Sequence, residues 1–231
     1  MATKLVDVNP PYLHPDYEIS VARAPSKRLV ELPRGWFHDL PGPVFGRMRL
    51  RPNDNDLTRQ HAGRPQGERI LLGGRVLDSD GRGVPGVLIE IWQTNASGAY
   101  VDAADPGFVP LDPNFTGAGR TITDSSGGYW FRSVKPAPYL GRVGGWFRPA
   151  HIHVSLFGPN LSQRLITQCY FEGDPHIAYD PIVQSVPDPR GIERLISRMN
   201  VERTEHHGED SAVAYDWDIV LRGSRATPME V

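Results

Sequence analysis

Short apolar runs separated by turn residues occupy most of the chain from residue 70 onward. Turn-forming segments such as Asp78–Gly81 and Asp124–Gly128 divide several of these runs. The runs that read as strands are Ile70–Leu77, Val87–Trp92, Thr121–Thr123, Tyr129–Val134, His151–Phe157, Leu165–Phe171 and Val213–Leu221. Short strands divided by turns predict an all-β sandwich or barrel. Of the two, we expect a mainly β fold built as a β-sandwich of the prealbumin or immunoglobulin kind, with long loops.

One short helix is predicted near residues 189–199. Asp188 is a suitable N-cap, and Pro189 fits the first helical position. Apolar residues then follow at helical spacing, at Ile192, Leu195, Ile196 and Met199.

The first 65 residues contain prolines too frequently for long helices. They also carry apolar anchors, namely Trp36, Phe37, Phe45 and Met48. We therefore expect an irregular but ordered N-terminal arm over residues 1–65, and a β-sandwich core over residues 66–231. With no internal repeat and no linker, the whole chain 1–231 is predicted to form a single domain.

Composition and charge exclude several classes of protein. The chain has 231 residues and a formal net charge of −2, so no basic surplus indicates nucleic-acid binding. No run of about 20 apolar residues predicts a membrane span, and the N-terminus lacks the apolar segment of a secretory signal. A single cysteine, Cys169, allows no internal disulfide and favours a cytoplasmic location.

A His-x-His pair is the first candidate for chemistry. His151 and His153 lie two residues apart in a predicted strand, so both side chains face the same side, where they could share one metal ion. The plainer alternative is a pair of polar residues facing solvent. Because Ile152 and Val154 are apolar, the other face of this strand is predicted to be core.

The identity of a metal must come from the other ligands. Structural zinc would require more cysteine, and a facial-triad iron site would require a carboxylate, of which none lies within about ten residues of the pair. Tyrosines do precede it, at Tyr100 and Tyr139. A phenolate is a hard anionic ligand suited to Fe(III), although either tyrosine alone could equally be a loop anchor.

Several stretches in collinear order extend this picture. The most specific are Arg148–His153 (Arg-Pro-Ala-His-Ile-His) and Phe171–Pro175 (Phe-Glu-Gly-Asp-Pro), with Glu90–Ala96, Pro110–Phe115 and Asp218–Gly223 beside them. In these motifs the sequence resembles the intradiol ring-cleavage dioxygenases, most closely the β subunits of those that act on protocatechuate. It departs from them at Leu140 and Gly141, where Pro and Trp are usual, which leaves the exact substrate range open.

The resemblance implies one non-haem Fe(III) per chain, bound by Tyr100, Tyr139, His151 and His153 with a solvent hydroxide as fifth ligand. It also implies catalytic roles for Arg148, Gln168, Tyr139 and Tyr17, and a substrate-binding role for Ile182, Tyr17 and Arg148. In this reading Tyr139 leaves the iron when the catecholate binds, and it moves toward Tyr17. Three negative ligands balance the trivalent ion, and the substrate dianion replaces two of them, so no net charge is buried.

The resemblance further implies cleavage of protocatechuate (3,4-dihydroxybenzoate) by O₂ to 3-carboxy-cis,cis-muconate, and a homologous α subunit as partner in a hetero-oligomer. Four alternatives stay open at this point. They are a stand-alone intradiol enzyme for catechol or hydroxyquinol, a structural sister subunit, a metallohydrolase that uses the histidine pair, and a non-catalytic β-sandwich binding module.

Overall fold

The computed structural model describes residues 9–10, 14, 16, 50–102, 109–141, 145–158 and 164–230. Within these ranges lie eleven strands and two short α-helices. The strands are β1 Arg69–Leu77, β2 Leu88–Gln93, β3 Ala118–Ile122, β4 Gly128–Val134, β5 Tyr139–Leu140, β6 Phe147–Arg148, β7 His151–Phe157, β8 Leu165–Phe171, β9 Ile196–Glu205, β10 Ala212–Asp216 and β11 Ile219–Val220. The helices are α1 Pro181–Gln184 and α2 Pro189–Glu193. The mainly β prediction is confirmed.

Two layers of strands make the sandwich. One layer contains β4, β1, β10 and β9, and the other contains β3, β2, β7 and β8. Strand β9 joins them: Ile196 and Ser197 pair with β8, whereas the residues from Arg198 onward pair with β10. The small hairpin of β5 and β6 stands apart from this sheet and leads directly into β7.

The core lies between the two layers. It is built from alternate residues of facing strands, so each strand turns one face inward. Members include Ile70 and Leu72 of β1, Ile89 and Ile91 of β2, Phe131 of β4, Ile152 and Val154 of β7, and Cys169 and Phe171 of β8. Cys169 is fully buried, and burial raises the pKa of its thiol to about 12, consistent with an inert core residue.

The helix predicted near 189–199 is correct in its start but wrong in its length. Asp188 accepts a hydrogen bond from the Arg190 backbone N–H, as an N-cap does, but α2 ends at Glu193. Ile196 then opens β9, because pairing with Tyr170 and Phe171 of β8 outweighs the local helical spacing. Met199, assigned to a buried helix face, is half-exposed on that strand. The polar strand β9 and the helix α1 were not predicted.

The predicted strand Val213–Leu221 divides into β10 and β11, which both pair in parallel with β1. The break falls at Trp217 and Asp218. The Trp217 N–H donates to the Gly73 carbonyl, and Asp218 accepts from the Arg75 N–H. The predicted strand is thus interrupted, but both of its parts remain paired with β1.

The boundary between arm and core stays a prediction. Most of residues 1–65, including Trp36, Phe37, Phe45 and Met48, lie outside the described residues. The described end of that stretch forms a short 3-10 turn, Leu57–Arg59, whose Leu57 is buried in the core. No helix in the described part of the chain is long and apolar enough to cross a membrane.

Candidate metal centre

The two histidines of β7 lie on the face of the sheet that points away from the core. Their intervening neighbour Ile152 points inward, as the strand period requires. Pairing with β8 sets His151 opposite Tyr170 and His153 opposite Gln168. On the other side, His153 stacks on Trp92 of β2, with ring centroids 4.9 Å apart and planes within 4°. This outer face therefore carries a polar and aromatic patch behind an apolar core.

His151 is fixed in one tautomer by the backbone. Its Nδ1 lies 2.7 Å from the Pro149 carbonyl oxygen, so Nδ1 carries the proton and donates it. Nε2 is buried and has no hydrogen-bond partner among the described residues. Burial, with the nearby charges of Arg148 and His153, lowers the pKa of His151 well below its usual value. The ring is thus neutral, with a lone pair on Nε2.

His153 is oriented by a carboxylate from the far end of the sequence. Its Nδ1 lies 3.1 Å from Oε2 of Glu230, and both side chains are nearly buried. Burial alone would raise the pKa of Glu230, but hydrogen bonds with His153 and Gln168 and the charge of Arg148 hold it below its usual value. Because Nδ1 is engaged, Nε2 is the nitrogen that His153 can offer to a ligand.

Tyr100 is delivered by a tight turn after β2. The side chain of Asn95 accepts hydrogen bonds from the backbone N–H groups of Ser97 and Ala99, at 2.9 and 3.0 Å. Gly98 has a positive φ of 89°, and a Cβ there would lie 3.3 Å from the Cβ of Tyr139. Glycine at this position lets the two tyrosine-bearing segments approach each other closely.

Tyr139 begins the small hairpin, where it pairs with Arg148 of β6. Its ring lies 5.5 Å from that of Tyr100, nearly perpendicular to it, and 5.6 Å from that of His151. The ring centroids of His151 and His153 lie 4.9 Å apart, and those of His153 and Tyr100 lie 6.2 Å apart. The four rings thus form a closed circuit in which each ring neighbours the next. The four side chains that sequence analysis named as ligands therefore surround one point.

Without a bound cation, deprotonation of the Tyr100 hydroxyl is unfavourable. Burial raises the pKa of this hydroxyl well above the usual value, and the neighbouring Tyr139 adds to the effect. A cation bound between the two phenols would lower the pKa of Tyr100, because a metal ion stabilises the deprotonated form of its ligand.

The donor set fits a hard trivalent ion. The described residues contain no group of three or more His, Cys, Asp or Glu side chains that could hold a metal. Among the described residues, the phenols of Tyr100 and Tyr139 are oxygen donors whose rings lie next to His153 and His151, respectively. Two imidazoles and two phenolates match Fe(III) better than a soft or divalent ion. Among the described residues, the buried Nε2 of His151 has no hydrogen-bond partner, so it is available to such an ion.

Arg148 lies beside the four rings in a buried hydrogen-bond network. Its Nε and Nη2 donate to the Asp180 carboxylate at 3.1 and 3.0 Å, and Nη2 also donates to Gln168 Oε1 at 2.7 Å. Tyr170 completes the network by donating to the same Gln168 oxygen at 2.5 Å. Burial alone would lower the pKa of Arg148, but Tyr170 and Asp180 raise it above its usual value, so its charge is permanent.

The remaining predicted site residues divide into two groups. Ile182, the second residue of α1, lines a small cavity of about 20 Å³ together with Gln168, Tyr170 and Glu230. It therefore lies beside the network that surrounds Arg148. Tyr17 lies outside the described residues, so its predicted role stays a prediction.

Sequence reasoning missed four residues that the fold brings to this place: Trp92, Tyr170, Asp180 and Glu230. Trp92 and Tyr170 could have been found from register, because they face the histidine pair across β2 and β8. Asp180 and Glu230 carried no usable signal, since one follows a short 3-10 turn and the other is the next-to-last residue.

A large cavity among the described residues lies elsewhere. It has a volume of about 1220 Å³ and runs along the layer of β1, β4 and β9, lined by charged residues such as Arg75, Arg203 and Asp216. None of the four candidate ligands borders it, so its size says nothing about the chemistry at the four rings.

Known proteins resemble this chain along nearly its whole length. A family model described as "Dioxygenase" matches residues 40–223. The protocatechuate 3,4-dioxygenase beta chain of Burkholderia cepacia is 48% identical, over 96% of this chain and 94% of that protein. The chain belongs to the intradiol dioxygenase family. Members of this family use non-haem iron, in agreement with the donor set described above.

Two more distant relatives agree with this assignment. The protocatechuate 3,4-dioxygenase alpha chain of Pseudomonas putida is 34% identical, over 70% of this chain and 75% of that protein. In its fold, the chain resembles the crystal structure of 3-chlorocatechol 1,2-dioxygenase from Rhodococcus opacus. That likeness has a TM-score of 0.55 at 22% identity and covers 72% of this chain and 64% of the other. It supports the β-sandwich of intradiol dioxygenases.

The buried pair of Arg148 and Asp180 generates the first prediction. Asp180→Asn keeps the N-cap of α1 but leaves the guanidinium without a buried counter-charge, so the free energy of unfolding should fall by about 3–5 kcal/mol. Asp188→Asn is the matched control, because Asp188 caps α2 and pairs with Arg190, whose side chain is 69% exposed. That variant should lose no more than about 1 kcal/mol. Urea unfolding of the metal-free proteins measures both, and equal losses would contradict the prediction.

Proposed function

We propose that this chain is the catalytic β subunit of an intradiol dioxygenase that cleaves protocatechuate with O₂ to 3-carboxy-cis,cis-muconate. The observation that carries the proposal is the closed circuit of Tyr100, Tyr139, His151 and His153 rings on the outer face of the sheet. The near full-length similarity to a protocatechuate 3,4-dioxygenase beta chain favours this substrate over catechol or hydroxyquinol. A non-catalytic binding module would have no need of the circuit.

The residues that would hold the metal are those four side chains. When bound there, one Fe(III) ion would activate a catecholate for reaction with O₂. Two phenolates would offset most of its charge in a site that excludes water, where an unbalanced charge is costly.

Tyr139 is the residue suited to accept a proton from the substrate. Its ring is only partly buried, and its strand β5 has two residues, the second of which, Leu140, is exposed. If Tyr139 holds the metal as a phenolate, its oxygen would be a base that can take up one of the two catechol protons. Tyr100 is also only partly buried as a residue, but its hydroxyl oxygen is buried, so Tyr139 is proposed as the tyrosine that leaves the metal. Tyr17 is proposed to receive the displaced Tyr139.

Arg148 is proposed to stabilise negative charge on the substrate ring. Asp180 and Gln168 hold its guanidinium at fixed distances, so it needs no reorganisation during the reaction. Ile182 would form the wall of the substrate pocket beside Gln168. The cytoplasmic location stays a prediction that rests on the single buried cysteine.

The activity is tested on this chain produced together with a homologous α subunit and iron. We expect one O₂ to be consumed for each protocatechuate and both oxygen atoms, supplied as ¹⁸O₂, to appear in carboxymuconate. The iron-loaded protein should absorb visible light through phenolate-to-Fe(III) charge transfer. Faster turnover of catechol or hydroxyquinol would favour the alternative substrate class, and a colourless protein that consumes no O₂ would refute the proposal.

The ligand set is tested by removing single donors. Tyr100→Phe, His151→Ala and His153→Ala should each lose most of the iron, with a larger drop in affinity than the roughly 10–100-fold caused by loss of an outer hydrogen-bond partner. Tyr129→Phe and His61→Ala are the controls, since these residues bond to the Trp217 carbonyl and to Thr116. Metal analysis that finds full iron in all three ligand variants would refute the assignment.

The proposed partner is a homologous α subunit that covers the mouth of the site. Three large apolar side chains are exposed next to site residues: Leu140 follows Tyr139, Phe147 precedes Arg148, and Tyr179 precedes Asp180. Such a patch on a soluble domain is typical of an interaction surface. The similarity of this chain to both beta and alpha chains supports a partner of the same fold.

Leu140→Ser tests this surface. Because burial of a leucine side chain is worth about 1.5–3 kcal/mol, association with the α subunit should weaken by roughly tenfold or more. Met199→Ser is the matched control, since Met199 is 51% exposed and Leu140 is 52% exposed, but Met199 lies on β9. Analytical ultracentrifugation measures the association. A fully active monomer or homodimer of this chain would overturn the partner proposal.

A further inference from the structure

The last described residues of the chain are docked beside the candidate metal centre. Thr227 is bonded through both its N–H and its hydroxyl to Val220 of β11, at 2.8 and 3.0 Å. The Thr167 hydroxyl donates to the Pro228 carbonyl at 2.8 Å, and the Glu230 N–H donates to the Ile166 carbonyl at 2.7 Å. The segment thus follows the part of β8 that lies beside His153.

Contacts from further elements hold the same segment. The Met229 N–H donates to the Asn9 side chain at 2.9 Å, and Arg194 donates to the Ala226 carbonyl at 3.2 Å. Thr227 is 3% exposed. These contacts tie residues 226–230 to several elements, so the fold fixes the position of the Glu230 backbone.

The docked segment places the side chain of Glu230 next to His153. Its Oε2 lies 3.1 Å from His153 Nδ1, and its side chain is 8% exposed. Burying a carboxylate is costly unless a partner compensates for it. The nearest permanent cation of the network, Arg148, already pairs with Asp180. Glu230 bonds directly to the imidazole of a candidate ligand, His153, and it also has a hydrogen bond with the Gln168 side chain.

We propose that Glu230 is a positioning residue of the metal centre, which fixes His153 with its proton on Nδ1 and increases the electron density that Nε2 offers to the ion. This inference rests on the proposed function, because it assumes that His153 binds iron. His151 has a carbonyl in the same position, at Pro149. The two histidines thus differ: a neutral acceptor orients His151, and an anionic acceptor orients His153.

The electronic effect separates this role from simple packing. An anionic acceptor makes the imidazole a stronger donor, and the iron becomes less electron-poor. With a neutral acceptor the iron should accept charge from the phenolates more easily, so the phenolate-to-Fe(III) band should move to longer wavelength. Loss of the side chain altogether should free the imidazole to rotate and loosen the metal.

The test uses the complete chain with its α subunit, loaded with iron. Glu230→Gln keeps the shape and an acceptor oxygen but removes the charge, whereas Glu230→Ala removes both. We expect Glu230→Gln to shift the visible band to longer wavelength, and Glu230→Ala to release iron to a chelator about 10–100 times faster than wild type. Glu209→Gln is the control, because Glu209 is an exposed carboxylate paired with Arg64.

Each outcome decides the question. A band shift in Glu230→Gln, or its failure to hold iron when Glu209→Gln holds it, supports the inference. Spectra and release rates equal to wild type in both Glu230 variants overturn it while the proposed function stands. A wild-type protein that binds no iron overturns the proposed function itself and this inference with it.

Discussion

The two-residue period of strand β7 is the constraint on which the site depends. Ile152 and Val154 fill the core between the two layers, and the same alternation turns His151 and His153 outward together. A rigid core thus places two imidazoles on one face, with their ring centroids 4.9 Å apart. Since a one-residue slip would bury both histidines and expose the core residues, packing enforces the register of the site.

Two segments outside β7 contribute the tyrosines of the candidate site. Tyr100 and Tyr139 come from segments that pack closely at Gly98, where a side chain would intrude. These loops can differ among relatives while the histidine strand keeps its geometry, and the departure at Leu140 and Gly141 lies in one of them. Differences in substrate range within the family are expected to arise in such loops.

The charged side chains of the buried network, Arg148 and Glu230, each have a partner that compensates for burial of the charge. Arg148 pairs with Asp180 and also donates hydrogen bonds to Gln168 and Tyr170. Glu230 is stabilised by its hydrogen bond with His153 and by the charge of Arg148. The protein therefore places a negative field behind one candidate ligand and a fixed positive charge beside the rings, an arrangement prepared for a cation and an anionic substrate.

Local pattern was sufficient for the elements that carry strong alternation or a compact motif. Strands β1, β2, β4, β7 and β8 were predicted within a residue or two, and the ligand set followed from the His-x-His pair with the family resemblance. The helix near 189–199 was overextended because Ile196 fits a helical spacing as well as it fits a strand. Only its pairing with Tyr170 across the sheet decides between the two.

The sequence by itself determined the fold class, the outward face of β7 and the residue types that could bind iron. These properties depend on neighbours within a few positions, which a linear pattern records. The tertiary structure decided which distant side chains meet them: Asp180 at Arg148, and Glu230 at His153 across 77 positions of sequence. Such contacts depend on where the chain returns after crossing the sheet, and no local preference of a single Asp or Glu encodes that position.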